Sequence, residues 1–205
     1  MEIIRAISKR SRELIRGRVQ KWGWAALKQW LWDREFMEGR WDFIEKTPED
    51  PVYQYVEKYC KQGSILDLGC GSGNTGCELD AGVYRDYTGV DISEVALAKA
   101  RQRSAEIQRA GRNRYSQSDI LTYVPDRSYD VILFRESIYY IPKGRITGMV
   151  QRYSGYLKPD GVFIVSWYEG RTGQESCETI GSRYRILEHR LLAASGPVII
   201  VFGRK

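Results

Sequence analysis

A glycine-rich stretch supplies the residues with the clearest potential for chemistry. Residues 64–76 read SILDLGCGSGNTG, an apolar run containing Asp67 that breaks into a loop. Four glycines follow the run at close spacing, namely Gly69, Gly71, Gly73 and Gly76. Glycine lets the backbone turn sharply and lets a ligand lie against bare main chain. A helix after the loop would point its free N–H groups at the same ligand, so the stretch predicts a nucleotide-type site.

Two acidic residues end later predicted strands. Asp91 closes residues 86–91 (DYTGVD), and Asp119 lies near the end of residues 114–120 (RYSQSDI). A carboxylate at the tip of the second strand can accept hydrogen bonds from both hydroxyls of a ribose. A carboxylate after the third strand can accept a hydrogen bond from an adenine amino group. The carboxylate at the tip of the second strand would serve several nucleotide cofactors equally, so it does not distinguish between them.

The residues after the fourth and fifth predicted strands are candidates for contact with a second substrate. Residues 129–134 (YDVILF) lead into Arg135 and Glu136, and residues 162–167 (VFIVSW) lead towards Glu169. Ligands of open α/β sheets bind outside the carboxyl ends of the strands. We therefore expect these side chains to face the reacting centre.

Apolar segments that could form a sheet alternate with segments of helical composition. Helices are predicted at residues 52–60 and 94–109, and a helix end and turn at residues 153–161. Residues 184–192 and 198–202, separated by Ser195-Gly196-Pro197, predict a closing antiparallel hairpin. This alternation is typical of an α/β fold.

Size and composition indicate a globular protein with reduced thiols. The chain has 205 residues, four cysteines and one histidine. No C-x-x-C pair occurs, so we expect no metal site. No stretch reaches the length of a membrane span and the N-terminus lacks a signal-peptide core, so we expect a cytoplasmic location.

The net charge of +6 is concentrated near the N-terminus. Residues 1–32 hold eight basic and two acidic side chains, whereas residues 33–205 balance to zero. We therefore expect a helical, tryptophan-rich extension over residues 1–50, whose first part is basic and amphipathic, and a second domain over residues 51–205 that contains the glycine loop. A basic surface across the whole domain, as nucleic-acid binding would favour, is not predicted.

The beginning of the chain has the pattern of an amphipathic helix. Its apolar positions are Ile3, Ile4, Ile7, Leu14, Ile15 and Trp22, and its opposite polar positions are Arg5, Lys9, Arg12, Arg16 and Gln20. The apolar face can pack on the domain or on a second subunit, which would make a homodimer. It can also lie on an anionic membrane, at the inner face, together with the tryptophans that follow. Farther on, Trp41, Asp42 and Phe43 are either part of a lid over the ligand or ordinary core.

Two families compete for the glycine loop. Residues 71–76 match G-x-G-x-x-G, the dinucleotide fingerprint of NAD enzymes. The longer string D-x-G-x-G-x-G, followed by V-D at 90–91 and S-D-I at 118–120, resembles the class I methyltransferases that use S-adenosylmethionine (SAM). L-K-P-D-G-V at residues 157–162 and the tail hairpin are also similar to that family, over about residues 63–205. This resemblance implies a seven-stranded, mostly parallel Rossmann-like sheet in the order 3-2-1-4-5-7-6, with helices on both faces.

The same resemblance implies roles for individual residues. SAM would be the cofactor, with its methionine part against Asp67 and the glycine loop. Asp91 would hold the ribose, and Ile92, Asp119 and Ile120 the adenine. The full set of implied cofactor-binding residues is Asp67, Gly69, Cys70, Gly71, Gly73, Asp91, Ile92, Asp119, Ile120 and Arg135. Glu136 or Ser137 would lie near the methyl group.

Methyl transfer is an in-line displacement that mainly needs alignment of the acceptor and exclusion of water. An amine acceptor needs only a free lone pair, whereas a hydroxyl usually needs a positioned base. The catalytic candidates are Glu136, Glu169, His189 and Tyr139. His189, the lone histidine, is more often structural, and Tyr139 with Tyr140 can equally be core.

Residues 136–141 (ESIYYI) also resemble the corresponding segment of the nodulation N-methyltransferases, which act on an amino sugar. We therefore expect O- or N-methylation of a small molecule, such as a glycan or a natural-product intermediate. The alternatives are a nucleic-acid (RNA) methyltransferase, a non-catalytic SAM-fold partner protein and an NAD-dependent oxidoreductase. Phe134-Arg-Glu-Ser replaces the N/D-P-P-Y/F motif of exocyclic-amine nucleic-acid enzymes, which argues against the first alternative.

Overall fold

The computed structural model describes residues 9–45, 47–168, 183–191 and 196–205. The helices are α1 (Lys9–Trp22), α2 (Ala25–Met37), α3 (Val52–Cys60), α4 (Asn74–Glu78), α5 (Glu94–Glu106) and α6 (Lys143–Ser154). The strands are β1 (Ser64–Leu68), β2 (Asp86–Asp91), β3 (Asn113–Gln117), β4 (Tyr129–Arg135), β5 (Leu157–Tyr168), β6 (Arg185–Leu191) and β7 (Pro197–Gly203). Short 3₁₀ turns occupy Asp42–Ile44 and Ile138–Tyr140.

One sheet of seven strands organises the molecule, in the order β3-β2-β1-β4-β5-β7-β6. Neighbouring strands are parallel from β3 to β5, and β7 is antiparallel to both β5 and β6. The predicted fold class, strand order and closing hairpin are confirmed. The order reverses at β1, which lies between β2 and β4 and opens a crevice at their carboxyl ends.

The core lies on both faces of the sheet because β1, β4 and β5 are covered on each side. One cluster joins Leu66, Leu68 and Phe134 to the α6 residues Ile146 and Tyr153. The cluster on the opposite face joins α3 to the alternate side chains of β1 and β4. All five residues of β1 are buried, which explains why Ile65, Leu66 and Leu68 are apolar although they point to both faces of the sheet.

Two element boundaries differ from the predictions. Strand β3 ends at Gln117, so Asp119 lies in the loop beyond it. Strand β5 begins at Leu157, so the predicted turn at residues 158–161 lies inside the strand. Tyr129 pairs with Leu157, and the next pair is Val131 with Val162. The residues predicted as a turn therefore lie in a bulge of β5, where the register of the two strands shifts.

The amphipathic helix α1 presents the face opposite to the one predicted to pack on the domain. Leu14, Ile15 and Trp22 are exposed, whereas Gln20 is buried and Arg16 is half-buried. The alternative in which the apolar face covers the domain is therefore wrong for these three residues. Residues 1–8 of the same pattern lie outside the described residues.

A buried carboxylate explains this orientation of α1. Glu35 of α2 is buried and needs polar partners, since an unpaired buried charge is costly. Arg16 forms a salt bridge with it, the Gln20 side-chain amide donates to it at 3.3 Å, and the Trp41 indole N–H donates at 3.1 Å. The polar face of α1 thus supplies hydrogen-bond partners to the Glu35 carboxylate of α2, and the apolar face of α1 is exposed to solvent.

The helical hairpin α1–α2 also contacts the sheet domain directly. The Oδ1 atom of Asp33 accepts hydrogen bonds from the Ser93 hydroxyl at 2.7 Å and from the Val95 backbone N–H at 3.2 Å. Ser93 is the N-cap of α5, as predicted, and accepts from the Ala96 backbone N–H. The division at residue 50 stays a prediction, but the segment before it packs against α5.

Among the described helices, none combines the length and apolar character that a bilayer span requires.

Candidate cofactor and acceptor site

A cavity of about 410 Å³ lies at the carboxyl ends of β1, β2 and β4, where the strand order reverses. Its walls come from the glycine loop, from the loops after β2, β3 and β4, and from the N-terminal helices. The predicted site residues that line it are Gly69, Cys70, Gly71, Asp91, Ile92, Asp119, Ile120, Arg135, Glu136 and Tyr139. Positions spread over 70 residues of sequence therefore meet in one space.

The glycine loop needs glycine for both conformation and space. Gly69 has a φ of +84° and Gly71 a φ of +52°, in the left-handed region that other residues adopt at a cost. A Cβ added at Gly69 would lie 2.5 Å from the Cβ of Ser137, the residue that follows β4 and Glu136. The loop and the end of β4 thus approach closely and form the floor of the cavity.

Asp91 at the end of β2 is fixed by the loop that it supports. Its Oδ2 accepts the Gly71 backbone N–H and its Oδ1 accepts the Ser93 backbone N–H, both at 2.9 Å. Burial raises the pKa of Asp91 to about 6, against the lowering effect of these N–H groups. The carboxylate lines the cavity and has lone pairs left for further donors.

Two residues predicted to contact the cofactor lie behind the loop. Asp67 is buried beneath it and accepts a hydrogen bond from the Tyr87 hydroxyl at 2.7 Å. Gly73 begins α4 and lies against α5, where an added Cβ would be 2.8 Å from the Ala100 Cβ. Neither residue is among those lining the cavity, because both hold the loop from within the domain.

The loop after β3 carries an ion pair that the sequence did not indicate. Lys28 of α2 reaches Asp119, with 3.1 Å between its Nζ and the carboxylate Oδ2. The Leu121 backbone N–H donates to the other oxygen of Asp119 at 2.8 Å. Both side chains of the pair are largely buried, and both line the cavity. Ile120 lies beside them, with its carbonyl held by the Tyr153 hydroxyl at 2.7 Å.

Arg135 and Glu136 close the opposite end of the cavity. The Arg135 guanidinium donates to Asp50 and to the Thr47 hydroxyl, each at 2.7 Å, and lies over the Tyr53 ring. These acidic and aromatic neighbours raise the pKa of Arg135 despite its burial, so it stays a cation. Glu136 has a φ of +53°, and its Oε2 lies 3.4 Å from the Tyr139 hydroxyl.

Aromatic rings form the wall between these two ends. Trp32 of α2 contacts Tyr140 edge-on with 4.9 Å between ring centroids, and Trp41 at 5.5 Å. Phe36 and the exposed Phe43 complete the wall. The lid prediction for residues 41–43 stays a prediction, although Trp41 and Phe43 line the cavity. Sequence reasoning missed Lys28, Trp32 and Phe36, for which the tryptophan-rich composition was the only signal.

Of the two remaining catalytic candidates, the structure describes only His189, and His189 does not line the cavity. His189 is exposed on β6, the outermost strand beyond β7, where its backbone pairs with Ile200. The edge position separates it from the carboxyl ends of β1, β2 and β4. Glu169 lies outside the described residues, as does Cys177. Within the described ranges, no group of three potential metal ligands occurs.

Comparisons with known proteins agree with this arrangement. Residues 65–161 match a family described as a methyltransferase domain. The 27-O-demethylrifamycin SV methyltransferase of Amycolatopsis mediterranei is 26% identical over 144 residues, which cover 67% of this chain and 52% of that protein. The chain thus spans about half the length of this curated relative.

Solved structures share the fold at low sequence identity. The 1,6-didemethyltoxoflavin-N1-methyltransferase of Burkholderia thailandensis superposes with a TM-score of 0.72 at 16% identity, covering 88% of each chain. The N-methyltransferase NodS of Bradyrhizobium japonicum WM9, bound to S-adenosylhomocysteine (SAH), superposes with a TM-score of 0.63 at 17% identity. That match covers 76% of this chain and 89% of NodS. These structures share the fold, and the methyltransferase-domain match over residues 65–161, with the sheet order and the glycine loop, supports a class I SAM-dependent methyltransferase.

Proposed function

We propose that this protein transfers the methyl group of SAM to a nitrogen or oxygen atom of a small molecule. The observation that carries the proposal is a single cavity with two chemically distinct ends. One end has the glycine loop, Asp91 and Asp119, and the other has Arg135, Glu136 and a wall of aromatic rings. The first end suits a nucleoside, and the second suits an acceptor held beside it.

The residues present fit SAM at the first end. Asp91 would accept hydrogen bonds from the ribose hydroxyls, and Asp119 one from the adenine amino group. Ile92 and Ile120 offer apolar surface for the adenine ring. The open backbone of Gly69 and Gly71 leaves room for the methionine part. Bound SAM would supply an electrophilic methyl group on a cationic sulfur.

At the second end, the protein would align the acceptor and exclude water. The residues at this end would hold the acceptor with its lone pair towards the methyl group that SAM would supply, and SAH would leave with the electrons of the broken carbon–sulfur bond. The rings of Trp32, Trp41 and Tyr140 limit access of water to this path. Glu136 and Tyr139 are the described residues that could take a proton from a hydroxyl acceptor. An amine acceptor would need only deprotonation before it binds.

A ring-shaped acceptor such as an amino sugar or a natural-product intermediate is the class that we favour. Apolar faces of sugars and planar heterocycles pack well on aromatic rings, which this wall supplies. The names of the relatives support a small-molecule acceptor, since they include methyltransferases of rifamycin and toxoflavin precursors. The resemblance of residues 136–141 to the nodulation N-methyltransferases is a further, local support.

Titration calorimetry tests the cofactor proposal. We expect the full-length protein to bind SAM and SAH and not NAD. Asp91→Ala should lower the affinity for SAH at least about tenfold, because two hydrogen bonds from ribose hydroxyls to a carboxylate are lost. Asp160→Ala, which removes an exposed acid elsewhere, is the matched control and should bind normally. Binding of NAD alone would overturn the proposal, and unchanged SAH affinity in Asp91→Ala would remove the ribose assignment.

We also propose that the outer face of the α1–α2 hairpin contacts an anionic membrane surface. Trp22 and Trp24 are 64% and 86% exposed, and Leu14, Leu27 and Trp30 are exposed as well. Exposed Arg10, Arg12 and Arg18 lie on the same α1 helix. Tryptophan rings lie favourably in the headgroup region of a membrane, and neighbouring cationic side chains are attracted to anionic lipids there. This combination favours a lipid surface over a second protein copy.

A further inference from the structure

A second cavity adjoins the cofactor cavity on its acceptor side. It has a volume of about 420 Å³. It is lined by residues of α1, of the loop that follows α2, and of the 3₁₀ turn after β4. Five residues line both cavities, namely Gln20, Trp41, Phe43, Tyr139 and Tyr140. The second cavity is therefore a vestibule that leads to the same aromatic wall.

The lining that belongs to the vestibule alone is basic. It consists of Arg16, Gly17, Lys21 and Arg40, so three of its four residues carry cationic side chains. Among the described residues that line this vestibule, none is an aspartate or a glutamate. The cofactor cavity, by contrast, is lined by Asp50, Asp91, Asp119 and Glu136 in addition to its cations.

Nearby carboxylates neutralise only part of this charge. Glu35 pairs with Arg16, and Glu13 accepts from Arg16 at 2.9 Å and from Arg40 at 3.1 Å. Counting only the part of the chain that the structure describes, three cations face two carboxylates, so this cluster has a net charge of about one positive unit at neutral pH. All three guanidinium nitrogens of Arg16 are engaged with these two acids.

Lys21 and Arg40 retain hydrogen-bond donors that no described residue occupies. Arg40 uses only its Nη2 in the contact with Glu13, which leaves Nε and Nη1. The described side chains make no ion pair with Lys21, which is half-buried in the last turn of α1. Two cationic donors next to an aromatic wall form a recognition element for an oxyanion.

We propose that this vestibule, defined by Lys21, Arg40, Trp41 and Tyr139, binds the phosphate or carboxylate of an anionic methyl acceptor. The oxyanion contacts Lys21 and Arg40, and the body of the acceptor lies along Trp41 and Tyr139. This position brings the nucleophile of the acceptor towards Glu136 and the methyl group. The inference rests on the proposed function and narrows its substrate class from any small molecule to an oxyanion-bearing one.

The test uses the full-length protein saturated with SAH and three probes that share one ring. Phenyl phosphate and benzoate carry an oxyanion, and phenol lacks one. By calorimetry, we expect both anionic probes to bind more tightly than phenol and to weaken as NaCl is raised, because exposed charges are screened. A tighter fit of phenyl phosphate or of benzoate distinguishes a phosphate from a carboxylate group.

Two double variants separate the vestibule from general charge. In Lys21→Gln/Arg40→Gln we expect the affinity for the preferred anion to fall about tenfold, the loss typical of charge-assisted hydrogen bonds, with phenol unchanged. Lys61→Gln/Arg145→Gln removes two exposed cations outside both cavities and should bind like the wild type. Lys21→Arg should preserve binding because the cation remains.

The outcomes distinguish this inference from the proposed function. If SAH binds but neither anionic probe exceeds phenol, the vestibule proposal is overturned and the methyltransferase proposal stands. Equal losses in the two double variants would also overturn it, because the effect would then be one of net charge. If SAH itself fails to bind the wild type, the failure lies with the proposed function. Unchanged SAH affinity in Lys21→Gln/Arg40→Gln verifies that this variant is folded.

Discussion

Asp91 combines two functions that pull its protonation in opposite directions. Its carboxylate is buried beside the glycine loop, which raises its pKa to about 6. The ribose hydroxyls that it would accept favour the ionised form. Because the folded, unliganded protein holds this proton more readily than the unfolded chain, Asp91 destabilises the empty protein as pH rises from about 4 through 6. Cofactor binding would offset that cost above pH 6.

A pH dependence of cofactor affinity follows from this carboxylate. We expect the dissociation constant of SAH to be about tenfold larger at pH 5.0 than at pH 7.5, since only about a tenth of a group with a pKa near 6 is ionised at pH 5.0. Calorimetry at the two pH values measures the ratio. In Asp91→Asn the affinity should be low at both values and the ratio close to one. A wild-type ratio near one would contradict the assigned role of Asp91.

The local sequence pattern predicted the position of Asp91, but it could not predict contacts that depend on the tertiary structure. Asp91 follows a buried strand and precedes an N-cap serine, so its place depends on neighbours in sequence. Lys28 lies 91 residues from Asp119, and their ion pair depends on how the hairpin packs on the domain. Asp67 has the expected place in its strand, but its side chain is buried, accepts a hydrogen bond from Tyr87 and does not line the cavity.

At the scale of elements, α2 caps a helix to which it is not joined. The Oδ1 atom of Asp33 receives the Ser93 hydroxyl and the Val95 backbone N–H at the beginning of α5. The first N–H groups of a helix lack partners within the helix itself. Asp33 therefore joins the N-terminal hairpin to α5, the element that follows β2.

Removing this contact should destabilise the protein measurably. We expect Asp33→Ala to lower the free energy of unfolding by about 1–2 kcal/mol, the usual cost of a lost helix cap with a second hydrogen bond. Urea denaturation followed by circular dichroism measures the change. Asp33→Asn keeps an acceptor oxygen and should lose less than half as much. Equal losses in both variants would mean that the carboxylate charge, not the cap, stabilises this junction.

The sequence pattern located most elements but could not orient α1. Apolar periodicity identifies which residues share a face, and the strands and helices of the sheet domain agree with that rule. The direction of the face depends on what lies beneath, and here it is the buried carboxylate of Glu35. A composition-based expectation that apolar residues turn inward fails where a polar group beneath must be satisfied first.

At the scale of the whole molecule, the hairpin separates two environments. Its inner face lines the cofactor cavity through Lys28, Trp32 and Phe36. Its outer face exposes Trp22, Trp24 and Trp30. An apolar surface of this kind on an otherwise charged helix usually marks an interaction site.

Vesicle sedimentation tests the membrane proposal. We expect the full-length protein to sediment with phosphatidylcholine vesicles that contain phosphatidylserine, and to bind pure phosphatidylcholine more weakly. Trp22→Ser/Trp24→Ser/Trp30→Ser should reduce the partition coefficient at least about tenfold, because three apolar rings no longer enter the interface. Val124→Ser removes an exposed apolar side chain elsewhere and serves as the control.

The same triple variant decides between lipid and a second copy of the chain. A change from dimer to monomer in light scattering, with no vesicle binding by the wild type, would contradict the membrane proposal and identify the face as a homodimer interface. A monomeric wild type that sediments with anionic vesicles would exclude that alternative.

Two polar contacts between α2 and the sheet domain bear on the rate of turnover. Lys28 with Asp119 and Asp33 with Ser93 attach the helix at two separate points, to the loop after β3 and to the beginning of α5. We expect that a cofactor leaving past α2 would have to break at least one of these contacts, whereas an acceptor entering through the proposed vestibule would break neither. We therefore expect acceptors to exchange rapidly, and we expect the opening of the α1–α2 hairpin to limit the rate at which the cofactor is replaced.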